Sequence, residues 1–419
     1  MRLKKFIPLF LLDWYHFVLA FLGALIYGFP SQKLKVIGIT GTKGKSTTIE
    51  LIRLILENAG YKVASASSIK FRIDKKEKLN RLKMTMPGRF KLQGFLKKAL
   101  KARCEYVILE VTSEGILQHR EKFIDFDIVV FTNLAPEHIE RHGSFEKYRE
   151  AKGALFKECK KLHIINTDDE NAKYFLQFPS KQKFCCGLNE KQKNINCNFI
   201  RAENPESSGN IIRFRINNVQ FNVNLQGEFN IYNSLLAITT ALSQDIDLET
   251  CKKALEKVKK IPGRMEIIKE YPFKVVVDYA HTPDSLEQVY KTFSGSKLIC
   301  VLGSCGGGRD KWKRPKMGEI ASKYCNEIIL TNEDPYDEDP NQILSEIKTG
   351  IPNTKNNTLN IILDRKEAIK KALKLAQKED VVIITGKGSE PWMCVANDKK
   401  IPWSDKEIVQ QELSEDVVD

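Results

Sequence analysis

No C-x-x-C pair occurs in the 419 residues, although the chain has ten cysteines. That absence removes the ordinary zinc-ribbon and dithiol spacings, and ten thiols in so long a chain do not read as a disulfide framework. Cys185, Cys186 and Cys197 cluster; reduced thiols are the expectation there, with a zinc site the lesser alternative. No A-x-A site follows the apolar run near the start, which argues against a cleaved export signal. No RNA-module motif stands out, and basic residues are spread along the chain. The formal net charge of +14 (67 basic against 53 acidic residues) therefore points to phosphate-bearing ligands and not to nucleic acid. No short repeat or low-complexity stretch is visible.

The length suits two or three domains of roughly 100–200 residues. MRLKK is followed by an apolar run, Phe6 to Phe29, broken by Asp13 and His16. The run is long enough to span a bilayer, and basic residues at both ends give it no orientation. Two readings stand: membrane contact, spanning or interfacial, or a helix packed on the rest of the protein. Beyond it, VIGIT, YVILEVT and IVVFTN are continuous apolar runs, as expected for strands covered on both faces. VVVDYA, KLICVLG, EIILTN and DVVIITG form a second such series. A boundary falls near Ile261-Pro262-Gly263, which predicts an apolar segment (1–34), a central domain (35–261) and a C-terminal domain (262–419).

The stretch VIGITGTKGKSTTIELIRLIL, 36–56, joins a strand to a helix through Gly38, Gly41 and Gly44, then Lys45, Ser46 and Thr47. Apolar Ile49, Ile52, Ile55 and Leu56 follow at helical spacing, with Gly60 as a stop. The common phosphate loop, G-x-x-x-x-G-K-[ST], would need a glycine at Ile39. Even so, turn amides and a helix N-terminus point at an anion, Lys45 adds a point charge, and the Ser46 hydroxyl can reach Mg²⁺. A nucleotide site over Gly41, Thr42, Lys43, Gly44, Lys45, Ser46 and Thr47 is the expectation. The fold class is α/β: a P-loop central ATPase domain with a mostly parallel sheet, plus a Rossmann-like C-terminal α/β domain.

The variant spacing T-G-T-x-G-K-[ST]-T resembles the Mur ligases, ATP-dependent amide-forming enzymes of peptidoglycan assembly, with folylpolyglutamate synthases as relatives. LEVTSEGILQHR (109–120), FTNLAPEHIERHGSFEKYREAKGALF (131–156), GEFNIYNSLLAI (227–238), PGRME (262–266), DYAHTPDSL (278–286), GSCGGGRDKWKRPKM (303–317), DRKEAI (364–369) and GKGSE (386–390) continue the resemblance in order. Within the family the chain looks like the branch that adds the third residue to a muramoyl-peptide.

The resemblance implies an ATP-dependent carboxylate–amine ligase working through an acyl phosphate, in the cytoplasm or at the inner face of the cell membrane. Lys45 would hold the β- and γ-phosphates, and Ser46 and Glu110 a first Mg²⁺. His138 would bind a second Mg²⁺, supported by a carbamate on Lys152. Asn230 would approach the adenine, Arg264 a phosphate and Asp278 the ribose. Thr85, Thr112, Gln118 and Arg120 match positions that bind the muramoyl-peptide. Arg309, Asp334, Tyr336, Gly386 and Glu390 surround the incoming amino acid, Glu390 being able to take a distal ammonium. Without the resemblance, Lys152 would read as a solvated helix residue, Asn230 as a helix cap and Asp278 as a strand-end turn.

The departures matter. Met84-Thr85-Met86-Pro87 replaces N-T-T-P, Thr112-Ser113-Glu114 replaces S-S-H, and Ser389 replaces a histidine. Glu333-Asp334-Pro335-Tyr336 stands where D-N-P-R would select diaminopimelate. Arginine clamps a second carboxylate in bidentate fashion and tyrosine cannot, so lysine or another amine is the expected acceptor. Only about 35 apolar residues precede the glycine turn, where the family carries a uridine-binding domain. Either the muramoyl-dipeptide donor is lipid-linked and met at the membrane through Phe6–Phe29, or a UDP-linked donor binds more weakly. A folylpolyglutamate synthase-like ligase and a non-catalytic membrane-associated ATP-binding adaptor are the competing functions.

Overall fold

The computed structural model describes residues 8–82, 84–190, 196–352 and 357–415; Phe6 and Ile7, which open the apolar run, lie outside the described residues. The chain divides into two compact units. The first comprises Met1–Ala135, Ser144–Asn224 and Glu228–Val258, the second Pro136–Gly143, Leu225–Gly227 and Lys259–Asp419.

The first unit is built on a nine-stranded sheet. Its strands are β1 (Lys35–Thr40), β2 (Val63–Ala66), β3 (Lys70–Ile73), β4 (Lys76–Leu79), β5 (Tyr106–Glu110), β6 (Ile128–Phe131), β7 (Leu162–Asn166), β8 (Gln182–Gly187) and β9 (Asn198–Arg201), in the order β4-β3-β2-β5-β1-β6-β7-β8-β9. β1 pairs in parallel with β5 and β6. Helices cover this sheet: α1 (Leu9–Tyr27), α2 (Lys45–Asn58), α3 (Arg89–Lys101) and the short α4 (Ser113–Leu117). The even shorter α5 (Ile139–His142) belongs to the second unit. α6 (Phe145–Glu158), α7 (Ala172–Leu176), α8 (Phe229–Leu242) and α9 (Leu248–Leu255) complete the first. The apolar runs are buried end to end, as in β5 and β6, because water reaches neither sheet face.

A separate antiparallel sheet, β10 (Glu203–Ser208), β11 (Ile211–Ile216) and β12 (Val219–Val223), follows β9. β4 and β10 are exposed along their whole length.

The second unit holds a six-stranded sheet in the order β13-β14-β18-β15-β16-β17: β13 (Glu266–Lys269), β14 (Lys274–Val277), β15 (Leu298–Leu302), β16 (Glu327–Leu330), β17 (Thr358–Ile361) and β18 (Val381–Ile384). Only β13 runs antiparallel to its neighbour. Helices α10 (Pro283–Thr292), α11 (Lys313–Tyr324), α12 (Pro340–Lys348), α13 (Arg365–Leu375) and α14 (Asp405–Glu415) accompany it, with a hairpin of β19 (Trp392–Val395) and β20 (Lys399–Pro402). Val275, Val277, Ile299, Val301, Val382 and Ile384 form the heart of its core.

Two sequence expectations bear on these units. α1 packs on α3: Ala20 and Ala24 are buried, Gly23 lies against the backbone of Phe90, and Gly94 against the Tyr27 ring. The expectation of reduced thiols needs correction, because Cys185–Cys197 and Cys300–Cys325 are disulfides. Their Cα atoms stand 6.0 and 6.1 Å apart, within reach of a bridge; folding, not sequence spacing, creates that proximity. Among the described residues no group of three or more His, Cys, Asp or Glu side chains could hold a metal ion, so the zinc alternative finds no site there.

Candidate active site

The turn between β1 and α2 has two positions, Gly41 and Gly44, where no side chain fits. Gly41 and Gly44 have φ of 146° and 81°, a region where side-chain-bearing residues are strained. A Cβ on Gly41 would lie 2.0 Å from Thr132 Oγ1, and one on Gly44 2.2 Å from Asn233 Oδ1. The end of β6 braces the turn. Thr42 N donates to the Asn133 carbonyl (2.8 Å), Lys43 N to Asn133 Oδ1 (2.8 Å), and Thr132 Oγ1 to the Lys43 carbonyl (2.7 Å). Thr42 Oγ1 lies 3.0 Å from the Tyr148 hydroxyl. Lys45 Nζ folds back onto the carbonyls of Gly41 (3.1 Å) and Thr42 (2.9 Å).

Lys152 approaches the same turn from α6. It is 2% exposed, donates to the Gly41 carbonyl at 2.7 Å, and sits over the Tyr148 ring. Asn230 on α8 accepts from Asn233 Nδ2 at 2.9 Å, and Asn233 faces Gly44, so the adenine candidate adjoins the turn through one intermediary. Ser46 Oγ donates to Glu110 Oε2 at 2.8 Å, and both residues are 5% exposed. Ser68 adds its hydroxyl, 2.8 Å from Ser46 Oγ, and its amide, which donates to the same Glu110 oxygen. This hydroxyl–carboxylate set supplies hard oxygens, the chemistry Mg²⁺ takes when phosphate and water complete its octahedron.

The residues matched to peptide binding gather around α4. Thr112 caps that helix, accepting from Gly115 N. Gln118 Oε1 accepts from Arg120 Nη2 (2.7 Å), its carbonyl accepts from Arg89, and Arg120 also donates to the Met86 carbonyl. Burial pulls the Arg120 guanidinium below its ordinary range. Thr85, half-buried, is the residue before Met86.

In the second unit His138 begins α5 with φ of 58°. Asp310 accepts from the Ile139 and Glu140 amides, and Lys311 N donates to Glu140 Oε1. Glu137 Oε1 lies 3.2 Å from His281 Nε2, while His281 Nδ1 is 2.7 Å from the Tyr279 carbonyl, so both ring nitrogens face acceptors. Asp278 is buried and accepts from the Met265 (2.7 Å) and Ala280 (2.6 Å) amides. The Arg264 guanidinium lies 4.4 Å from the Tyr279 ring centre.

Arg309 lies 5.4 Å from the ring centre of Tyr336. Tyr336 has φ of 53°, and Gly386 has no room for a side chain against Glu333. Lys387, fully buried, donates to both Asp334 oxygens (3.0 and 2.9 Å) and to Glu390 Oε2 (2.6 Å). Burial pulls hardest on this ammonium, yet Glu390 and Asp334 keep it above its ordinary value. Tyr279 donates to the other Glu390 oxygen at 3.1 Å, so the carboxylate read as open to a distal ammonium is already engaged.

The first unit thus gathers Gly41 to Thr47, Glu110, Lys152 and Asn230, with Thr112, Gln118 and Arg120 as a second group. The second unit gathers Arg309, Asp334, Tyr336, Gly386 and Glu390, with Arg264 and Asp278 joined to them through Tyr279. Sequence reasoning missed Ser68, Asn133, Asn233, Asp310, Tyr279 and Lys387. Asn133, Asn233, Tyr279, Asp310 and Lys387 each sit inside a stretch that carries the resemblance, so the signal was there without the role; Ser68 lies in none of them.

The Mur ligase middle domain profile matches residues 39–241, and the Mur ligase glutamate ligase domain profile matches 263–388. The UDP-N-acetylmuramoyl-L-alanyl-D-glutamate–2,6-diaminopimelate ligase 1 of Clostridium acetobutylicum is 38% identical over 408 residues, covering 95% of this chain and 82% of that protein. A solved structure of a UDP-N-acetylmuramoyl-L-alanyl-D-glutamate–2,6-diaminopimelate ligase is 30% identical, with a TM-score of 0.62, over 92% of this chain and 79% of its own. E. coli FolC, at 18% identity and a TM-score of 0.68 over 96% of this chain and 93% of its own, shares the fold. Two profiles in the right order and an identity sustained over nearly the whole length lead to one conclusion: the chain belongs to the Mur ligase family.

Proposed function

We infer that the protein is an ATP-dependent carboxylate–amine ligase that adds an amino acid to a muramoyl-peptide in peptidoglycan biosynthesis. The observation that carries this is the glycine cradle ending in the Ser46–Glu110 pair, in a chain similar throughout to muramoyl-peptide ligases. Phosphoryl transfer to the peptide's terminal carboxylate makes an acyl phosphate; the amine attacks it, and phosphate leaves from the tetrahedral intermediate. Such chemistry needs positioning and charge neutralisation more than a protein nucleophile.

The residue roles are part of the proposal. Lys45 turns from the loop carbonyls to the β- and γ-phosphates. Ser46 and Glu110 hold Mg²⁺, which when bound neutralises phosphate charge. His138 is assigned as a ligand of a second Mg²⁺, and Lys152 as a carbamylated lysine. Asn230 serves the adenine, Arg264 a phosphate and Asp278 the ribose. Thr85, Thr112, Gln118 and Arg120 orient the donor peptide, for which a UDP-linked muramoyl-dipeptide is the substrate class named for the relatives. Residues 35–261 act as the ATP-binding domain and 262–419 as the ligase domain, in the cytoplasm where ATP is supplied.

Around the acceptor, Arg309 is the carboxylate partner. Tyr336 lies against it where a second guanidinium would be needed for diaminopimelate, so the acceptor needs no second carboxylate, and lysine is the first candidate. The test is phosphate release from ATP with UDP-linked muramoyl-dipeptide and a panel of amino acids. Release that needs both substrates supports the ligase; release indifferent to both would leave an ATP-hydrolysing adaptor.

A further inference from the structure

We propose that the outward face of α1, with the basic helix α3 beside it, seats the protein on an anionic phospholipid surface, α1 lying along the interface and not through it. The inference does not rest on the ligase reading.

Apart from Asp13 and His16, α1 is apolar, which is expected of a helix buried on every side or in contact with lipid. It is not buried on every side: the window Phe10–Tyr27 has a mean hydropathy of 1.6 and is 17% buried. Phe10, Trp14, Leu22, Leu25 and Ile26 lie outward and are 70, 66, 38, 53 and 68% exposed. Exposed apolar surface of this extent, with aromatic residues in it, is the composition of interfacial helices. The opposite face is spent. Ala20 and Ala24 are buried, Gly23 lies on the Phe90 backbone, Phe17 and Phe21 meet Phe123 edge-on, and Asp13 bonds His119 at 2.7 Å. Crossing a bilayer would require breaking all of these contacts.

Charge selects the occupant. α3 carries Arg89, Lys91, Lys97, Lys98 and Lys101 and no acidic residue; Lys91, Lys98 and Lys101 are exposed. Lys97 Nζ lies 3.9 Å from a Cβ placed on Gly28, at the end of α1. The single acid of α1, Asp13, is paired with His119. A second copy meeting through the same face would bring two basic helices together, whereas an anionic leaflet attracts each lysine near it by about 1 kcal/mol.

The experiment is flotation of the full chain with vesicles of phosphatidylcholine alone and of phosphatidylcholine with phosphatidylglycerol. The protein should float with the anionic vesicles only, and come off in about 1 M salt, where the screening length falls to about 3 Å. Trp14→Ser/Leu25→Glu and Lys91→Glu/Lys98→Glu/Lys101→Glu should each weaken flotation at least about tenfold, with melting temperature and ATP turnover on soluble donor unchanged. If the first variant fails to fold, the lysine variant, confined to exposed positions, still reads the interaction. Binding to neutral vesicles that resists salt would overturn the proposal in favour of insertion. No vesicle binding would also overturn it, whether or not the chain dimerises through this face.

Discussion

At the residue scale, the roles of Lys45 and Tyr336 are separable by experiment. Lys45 Nζ donates to the loop carbonyls of Gly41 and Thr42; Lys45→Ala should leave the fold intact while lowering ATP-dependent turnover at least about a hundredfold, the scale of losing one preorganised charge-stabilising group. A phosphate-release assay beside a circular dichroism melt checks both halves; full turnover in the variant would remove Lys45 from the mechanism. Tyr336→Arg restores the guanidinium that a second carboxylate would meet. The ratio of kcat/KM for diaminopimelate to that for lysine should rise about tenfold or more, and a ratio that stays put would show that specificity is set elsewhere.

At the element scale, the apolar runs and the glycine turn were legible because each carries its signal locally: β1, β5, β6 and the six-stranded sheet's parallel core read directly as covered strands. β10 was not legible. Its sequence, ENPESS, is polar, contains proline and is exposed throughout, and only pairing with β11 makes it a strand. The same limit applied to the site. Lys45, Ser46 and Glu110 announce phosphate and metal chemistry through type and context, but Asn133 and Asp310 accept from backbone amides far away in sequence and Asn233 closes the space beside Gly44, which no spacing reveals. α1 was ambiguous for a physical reason: apolarity shows that a helix will not face water but not what it faces instead. Its contact with α3 depends on Gly23, whose Cβ position lies 3.6 Å from the Phe90 backbone. Gly23→Leu should therefore overpack the crossing at about 1–3 kcal/mol, lowering the melting temperature and opening residues 28–34 to protease. An unchanged digest would mean that α1 is held by its aromatic contacts alone.

At the scale of the whole molecule, buried ionisable groups set opposing pH limits. Glu121 is 3% exposed, and burial pushes its carboxyl up to about 8 from an ordinary 4.5; burial likewise pushes Glu333 up to about 7. The folded chain keeps protons that the unfolded chain has released, so stability falls as pH rises from about 4.5 to 8. Burial pulls His163 down to about 4 from 6.5. There the unfolded chain takes the proton, and stability falls as pH drops from about 6.5 to 4. Thermal melts should show a maximum between these limits, and Glu121→Gln should gain more over the parent at about pH 8.5 than at about pH 5. An equal gain at both would assign Glu121 no part in the alkaline decline. One further feature bears on how the molecule behaves among its own kind. A nine-stranded sheet must stop somewhere, and its last strand on one side, β4, reads Lys76-Glu77-Lys78-Leu79 and stands wholly in solvent. A strand joining that margin would have to desolvate two ammonium groups and a carboxylate. The short charged border thus makes that margin of the sheet a poor template for aggregation, even in a cell crowded with chains of identical sequence.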